Sequence, residues 1–138
     1  MPKLSDVKET ALYVDDLPRA MRFYVDVMGL AVLVEQQDRF CALDVEGKHV
    51  LLLFVRGKSN QDTQLPQGVI PAHDGAGPLH IGFSVAESEL PAWESHFAAH
   101  GVQVLSRMTW PRGGISIYFR DPDGHLLELL SPGVWSTY

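Results

Sequence analysis

The spacing of apolar residues along the chain predicts the same run of elements twice. The first run begins with the short strand ETALYV and continues in PRAMRFYVDV, where apolar residues recur with the period of an amphipathic helix. The second run begins with HIGFSV and continues in LPAWESHFAA. Each predicted helix is followed by a glycine and then by three segments typical of strands. The pattern therefore predicts two βαβββ units of the α+β class.

The first unit is predicted to span residues 7–55. Its opening strand, 7–14, leads into a helix for which Asp16 is a suitable N-cap and Gly29 a suitable end, because glycine readily adopts the left-handed conformation that follows a helix. Three strands are expected after this helix, at 30–36, 39–45 and 48–55, with a turn at Glu46 and Gly47 between the last two.

The second unit is predicted to span residues 78–132, after a linker at 56–77 that lacks any sustained period. Its helix is expected at 88–99, with Ser88 as the N-cap and Gly101 as the end. Its strands are expected at 79–85, 102–109, 114–120 and 125–131, and a turn at 121–124 joins the last two.

Alternation along the strands decides which side chains face the helices. In the first strand of the second unit, Ile81 and Phe83 share the apolar face, so His80 is expected on the opposite, concave face. Glu9 holds the equivalent position in the first unit. Glu128 takes the concave face of the last strand among leucines, and a carboxylate there is costly unless it is ion-paired or bound to a metal.

The same alternation places further side chains on the concave faces. In the second unit these are Ser116, Tyr118 and Arg120, and in the first unit they are Phe40, Leu52 and Phe54. His73 and Asp74, both in the predicted linker, are additional candidates for reaching the cavity.

Composition narrows the class of protein. The chain has 138 residues, of which 46% are hydrophobic, enough for one domain with a real core. A net charge of -6 leaves no basic stripe for a nucleic-acid backbone, and no apolar run is long enough for a membrane helix. Cys41 is the single cysteine, so no intrachain disulfide is possible. We therefore expect one cytoplasmic domain, 1–138, with neither a nucleic acid nor a membrane as its partner.

Three stretches of the sequence resemble the vicinal oxygen chelate superfamily, namely ALYVDDLPRAMRFYVDVMGL, HIGFSV and SIYFRDPDGHLLEL. That superfamily includes glyoxalase I, extradiol dioxygenases, methylmalonyl-CoA epimerase, fosfomycin-resistance thiol transferases and bleomycin-binding proteins. The resemblance covers nearly the whole chain. It implies an α+β fold in which the two βαβββ units pair into a curved mixed sheet around a central cavity.

The resemblance also implies one divalent metal ion, Fe(II), Mn(II) or Zn(II), held by the first and last strands of the units. The matching ligand positions are Glu9, His80 and Glu128, with Leu52 at the place of the fourth ligand of glyoxalase I. Glu9 replaces the histidine that the dioxygenases and the fosfomycin enzymes usually have. Two carboxylates and one imidazole can still form a facial triad of ligands, which leaves positions open for a bidentate substrate.

The implied function is that of a metal-dependent, dioxygenase-like enzyme acting on a small substrate, hydrophobic or aromatic. Tyr118 is the expected catalytic residue, and the expected substrate-binding residues are Ser116, Arg120, Leu52, Phe54 and Phe40. Two alternatives stay open: a metal-free drug-binding protein of the bleomycin-resistance type, and a lyase or thiol transferase of the same superfamily. Family members of this size often pair, so a homodimer is a further possibility.

Overall fold

Each half of the chain folds as a compact unit. The computed structural model describes residues 1–138, and the units comprise Met1–Ala76 and Gly77–Tyr138. Both units contain a four-stranded mixed sheet and one main helix. The predicted α+β class and the duplication are therefore confirmed. No helix in the chain has the length and the apolar character needed to cross a membrane.

The first unit contains the predicted βαβββ series. Strand β1 (Glu9–Val14) leads to helix α1 (Leu17–Arg22), which continues as a π-helical turn over Phe23–Val27. The sheet is completed by β2 (Ala31–Gln36), β3 (Phe40–Val45) and β4 (His49–Val55) in the order β1-β4-β3-β2, with β1 parallel to β4. Gly29 follows the helix with a φ of 74°, as predicted.

The segment between the predicted units is not the plain linker that the sequence analysis expected. It contains a hairpin of two short antiparallel strands, β5 (Thr63–Leu65) and β6 (Gly68–Ile70). Each strand has three residues, which is too short for an alternating pattern to be recognised. The hairpin belongs to the first compact unit.

The second unit repeats the order of the first. It contains β7 (His80–Ser84), a 3₁₀ turn over Glu87–Glu89, helix α2 (Leu90–Ala99), β8 (Ser106–Thr109), β9 (Ile115–Arg120) and β10 (Leu126–Leu130). The strand order is β7-β10-β9-β8, and β7 runs parallel to β10.

Two boundaries of the second unit differ from the sequence-based expectation. Ser88 is not an N-cap, because it lies inside the 3₁₀ turn and α2 begins only at Leu90. The strand expected from residue 102 begins at Ser106. The intervening residues finish the helix instead: Gly101 has a φ of 69°, and the Val102 amide donates to the Phe97 carbonyl at 2.9 Å, as in a Schellman motif.

The first and last strands pair in the same register in each of the two sheets. In the first unit Ala11, two residues after Glu9, pairs with Leu52. In the second unit Gly82, two residues after His80, pairs with Glu128. Glu9 and His80 are therefore structurally equivalent, as are Leu52 and Glu128. The alignment of the two copies that the sequence suggested is confirmed strand by strand.

Alternate strand residues form the core of each unit, as predicted. In the first unit the buried strand residues on the helix side of the sheet are Leu12, Val14, Cys41, Leu43, Leu51 and Leu53. In the second unit the corresponding residues are Ile117, Phe119, Leu127 and Leu129. Burial raises the pKa of the Cys41 thiol to about 11, with a smaller contribution from the Glu35 carboxylate. Cys41 is thus a small core side chain and not a reactive thiolate.

The start of α1 depends on the Asp16 side chain, whose Oδ1 accepts a hydrogen bond from the Arg19 amide at 3.0 Å. Replacing Asp16 with alanine should lower the free energy of unfolding by about 1 kcal/mol, because the Arg19 amide in the first turn of the helix would lose its hydrogen-bond acceptor. Urea denaturation measures this change. Asparagine caps helices about as well as aspartate, so the free energy of unfolding of Asp16→Asn should be close to that of the original protein. Equal losses in the two variants would contradict the capping role.

Candidate metal centre and substrate cavity

Strands β7 and β10 bring His80 and Glu128 together in the second unit. The strands are parallel neighbours, and both side chains project from the face opposite the core. The Nε2 atom of His80 lies 3.3 Å from Oε2 of Glu128. Glu128 is 7% exposed, whereas half of the His80 side chain is open to solvent. The sequence analysis predicted both residues for a metal site, and they are adjacent.

A hydrogen bond to the main chain determines which nitrogen of His80 faces Glu128. Nδ1 lies 2.9 Å from the carbonyl oxygen of Leu126, and since a carbonyl only accepts, Nδ1 carries the hydrogen. In the neutral imidazole, Nε2 then has a lone pair directed at the carboxylate. Two acceptors at this separation require a cation between them. A proton on Nε2 or a metal ion meets that requirement.

The pair has the chemistry of a divalent metal site. Two ligand atoms bonded at about 2.1 Å to one ion are roughly 3.0–3.4 Å apart, and the His80–Glu128 separation of 3.3 Å fits that range. A metal-ligating histidine usually donates its other N–H to a carbonyl or carboxylate, as His80 does. Imidazole with carboxylate suits Fe(II), Mn(II) and Zn(II). The residues present therefore fit the ion that the family implies.

Gly82 provides space beside the pair. A Cβ atom at this position would lie 2.8 Å from Cδ2 of Leu130 and 3.7 Å from Oε2 of Glu128. A larger residue would therefore force Cδ2 of Leu130 to move and would stand in van der Waals contact with the carboxylate. The sequence analysis did not single out this glycine, although its place two residues after His80 on the same face is a signal for it.

Tyr118, the predicted catalytic residue, stands next to the His80–Glu128 pair. It is the cross-strand partner of Glu128, and its ring centroid lies 6.4 Å from that of His80. Burial raises the pKa of the Tyr118 phenol, and the charge of Glu128 raises it further. The phenol therefore keeps its proton at neutral pH, where it can donate a hydrogen bond.

The other two polar residues predicted on this face have partners within the unit. Ser116 is fully buried, and its hydroxyl accepts a hydrogen bond of 2.7 Å from Nε1 of Trp110. Arg120 is exposed and donates from Nη1 to the Gly124 carbonyl at 2.9 Å, which closes the turn between β9 and β10. Ser116 thus lies beside Tyr118 on the sheet, whereas Arg120 is directed to the turn. Their predicted contacts with substrate stay a prediction.

The first unit has a cavity of about 600 Å³ on the equivalent face of its sheet. The three residues predicted for substrate binding, Phe40, Leu52 and Phe54, line it together with Glu9. The rings of Phe40 and Phe54 are 5.5 Å apart between centroids. The cavity is also lined by Thr10, Ala11, Tyr13, Gln36, Arg39, Thr63, Leu65, Ile70 and His73. Its size is typical of a small-molecule site.

The segment with the β5–β6 hairpin brings His73 into this cavity, as one alternative of the sequence analysis suggested. Nδ1 of His73 lies 2.8 Å from the Tyr13 hydroxyl, and its ring meets Phe54 edge to face at 4.5 Å. Asp74 does not line the cavity, because its Oδ1 accepts from the Gly57 amide at 3.1 Å. Gly75 lies on the Tyr13 ring, where a Cβ would approach Cδ2 to 2.3 Å.

Each unit contains fewer than three side chains that could ligate a metal at these strand positions. The second unit has His80 and Glu128. The first has Glu9 at the position of His80 and Leu52 at the position of Glu128.

Arg39 is a further residue of the cavity that the sequence analysis missed. Its signal was weak, since it lies just outside β3 and alternation does not assign it a face.

Comparison with known proteins identifies the family. The model of the glyoxalase/bleomycin resistance protein/dioxygenase superfamily matches residues 7–129. Metallothiol transferase FosB of Bacillus licheniformis is 31% identical over 134 residues, which cover 96% of this chain and 79% of that protein. FosB of Staphylococcus saprophyticus is 28% identical over 127 residues, 91% of this chain and 76% of that protein.

The fold comparison agrees with the sequence comparison. The crystal structure of lactoylglutathione lyase from Agrobacterium tumefaciens superposes with a TM-score of 0.89 at 34% identity, covering 98% of this chain and 99% of that one. The duplicated units, their shared register and these similarities lead to one conclusion: the chain belongs to the glyoxalase/bleomycin resistance protein/dioxygenase superfamily.

Proposed function

We propose that this protein is a divalent-metal-dependent enzyme that binds a small substrate through neighbouring oxygen atoms. The observation that carries the proposal is the separation of 3.3 Å between Nε2 of His80 and Oε2 of Glu128, with Nδ1 of His80 within 2.9 Å of the Leu126 carbonyl oxygen. Its membership of a superfamily with metal-dependent members supports it. Fe(II), Mn(II) and Zn(II) are the ions that this donor set favours.

The roles of the residues follow from their positions. His80 and Glu128 would hold the ion, and a bound ion supplies a Lewis acid that stabilises negative charge on substrate oxygens. Glu9 is the proposed third ligand, because it occupies in the first unit the position that His80 occupies in the second. Tyr118 holds a proton beside the pair and is the proposed donor to the substrate.

Two reaction classes within the superfamily deserve a test. The relatives named metallothiol transferase and lactoylglutathione lyase support the lyase or thiol transferase alternative, in which the substrate is a thiol compound. The aromatic cavity of the first unit supports the dioxygenase-like alternative, since it suits an aromatic ring. We place the thiol alternative first, because it agrees with the names of both relatives.

The metal-loaded protein distinguishes these classes directly. Free thiol is measured with a thiol reagent during incubation with glutathione plus methylglyoxal, which the lyase equilibrium joins to S-lactoylglutathione, and with glutathione plus a small electrophile, where a transferase consumes the thiol. Oxygen uptake is measured with Fe(II)-loaded protein and catechol. Thiol turnover that disappears in Glu128→Gln supports the proposal. Equal thiol turnover with and without the metal would contradict it.

Glu9 has a prediction of its own. Replacing Glu9 with glutamine keeps the size of the side chain but removes its charge, so the affinity for Mn(II) should fall about tenfold. Calorimetric titration measures the affinity. Glu46→Gln is the matched control, because Glu46 lies in the exposed turn between β3 and β4 and should leave the affinity unchanged. An unchanged affinity in Glu9→Gln would exclude Glu9 as a ligand.

Two further expectations stay proposals. A homodimer is supported by the apolar surface of β2, where Val32, Leu33 and Val34 are between 43% and 53% exposed. The cytoplasmic location rests on composition and on the single buried cysteine.

A further inference from the structure

We propose that the cavity of the first unit binds an elongated aromatic anion, with its ring on Phe40 and Phe54 and its anionic group at Arg39. This inference deepens the proposed function by naming a substrate class, and it rests on that proposal only in treating the ligand as the substrate. The binding itself is a property of the first unit alone, because every residue that carries it lies in Met1–Ala76.

Strand register gives the cavity two chemically different ends. Glu9 pairs with Val50 at one end of β1, whereas the Arg39 carbonyl accepts from the Val55 amide at the other end of β4. Five residues of strand separate the two levels, which corresponds to about 16 Å. The carboxylate and the guanidinium that line the cavity are therefore too far apart to pair. An elongated ligand would meet them at opposite ends.

The middle of the cavity is a surface for a flat ring. Phe40, Phe54 and Tyr13 are successive neighbours across three strands, with centroid separations of 5.5 Å and 6.0 Å. Leu52 and Ala11 continue this surface toward Glu9, and Leu65 and Ile70 of the hairpin line the cavity as well. Aromatic ligands gain from such walls both by burial and by offset or edge contacts.

Arg39 supplies a guanidinium at the far end of the cavity. Its Nη2 donates to Oγ1 of Thr63 at 2.6 Å, which holds the side chain against the hairpin. The neighbouring Asp38 lines a different hollow and not this cavity. A guanidinium held in this way, with no carboxylate lining its end of the cavity, is suited to a carboxylate or similar anion.

The test compares two probes that differ in charge and share one ring system, 2-naphthoate and 2-naphthamide. Binding to the full chain is measured by calorimetry in metal-free buffer, so that the carboxylate cannot ligate a metal. We expect one site, with naphthoate binding about tenfold more tightly. In Arg39→Met this preference should disappear, while the affinity for naphthamide stays within about twofold. Arg39→Lys should keep part of the preference, because it keeps the charge.

Arg107→Met is the matched control. Arg107 pairs with Glu94 of helix α2 in the second unit, so this substitution should leave the affinity for both probes unchanged. Equal affinities of the two probes, or equal effects of Arg39→Met and Arg107→Met, would overturn the inference. A separate titration with Mn(II) keeps the two proposals apart. If the protein binds no Mn(II) but Arg39→Met abolishes the preference for naphthoate, the metal site is refuted and the anion site is supported. If the protein binds Mn(II) but Arg39→Met leaves the preference unchanged, only the anion site is refuted.

Discussion

Replacing Glu128 with glutamine should lower the affinity for Mn(II) or Zn(II) about a hundredfold or more. The change removes the carboxylate charge that lies 3.3 Å from Nε2 of His80, at a buried strand position. Calorimetry measures the affinity. A metal at a hundred times its Kd should stabilise the original protein by about 2.7 kcal/mol, which the variant should lose.

The control for this change is Glu89→Gln. Glu89 lies exposed in the 3₁₀ turn before α2, so the substitution removes the same charge at a place remote from β10 in the chain. It should bind metal as the original protein does. A Glu128→Gln protein that retains its metal affinity would exclude Glu128 as a ligand and contradict the proposed site.

Replacing Phe97 with alanine should lower the free energy of unfolding by about 3–5 kcal/mol. Phe97 is fully buried in α2, and its ring lies 4.4 Å from that of Phe119, which is also fully buried. Trp93 packs on the other side at 5.4 Å. The substitution leaves a cavity between the helix and β9, the strand that carries Tyr118 on its opposite face. Urea denaturation followed by circular dichroism measures the loss.

A conservative change separates lost packing from a lost aromatic contact. Phe97→Leu fills most of the same volume and should cost less than about 2 kcal/mol. If alanine and leucine destabilise the protein equally, the loss comes from the ring contact with Phe119 and not from the cavity, which would contradict the packing role.

Strand alternation was sufficient to predict most of the site. The face on which a strand residue lies follows from its parity, so His80, Glu128 and Tyr118 were predicted together and lie together. The same reasoning assigned Phe40, Leu52 and Phe54 to one surface. These predictions rest on local geometry, which a sequence encodes directly.

The residues that alternation missed are placed by contacts between distant parts of the chain. His73 reaches Tyr13 across 60 residues, and its amide is held by the Ser59 carbonyl at 2.8 Å. Arg39 is fixed by Thr63, in a hairpin too short to recognise. Ser88 was mistaken for a cap because a 3₁₀ turn precedes α2, and cap-like residues do not reveal such a turn.

The two units have the same strand register but different side chains at equivalent positions. At equivalent positions the second unit has His80 and Glu128, and the first has Glu9 and Leu52. The tyrosine opposite Glu128 corresponds to Ala42 opposite Leu52. The second unit thus has a His–Glu pair next to a tyrosine, and the first has a cavity with an aromatic wall and a carboxylate at one end.

Elemental analysis tests the metal site most directly. Protein purified without chelator and then exposed in turn to Fe(II), Mn(II) and Zn(II) is dialysed and its metal content measured beside that of His80→Ala. The His80–Glu128 geometry predicts about one equivalent of a divalent metal in the original protein and a strongly reduced content in the variant. Less than about a tenth of an equivalent in the original protein, with none gained from any of the three ions, would contradict it.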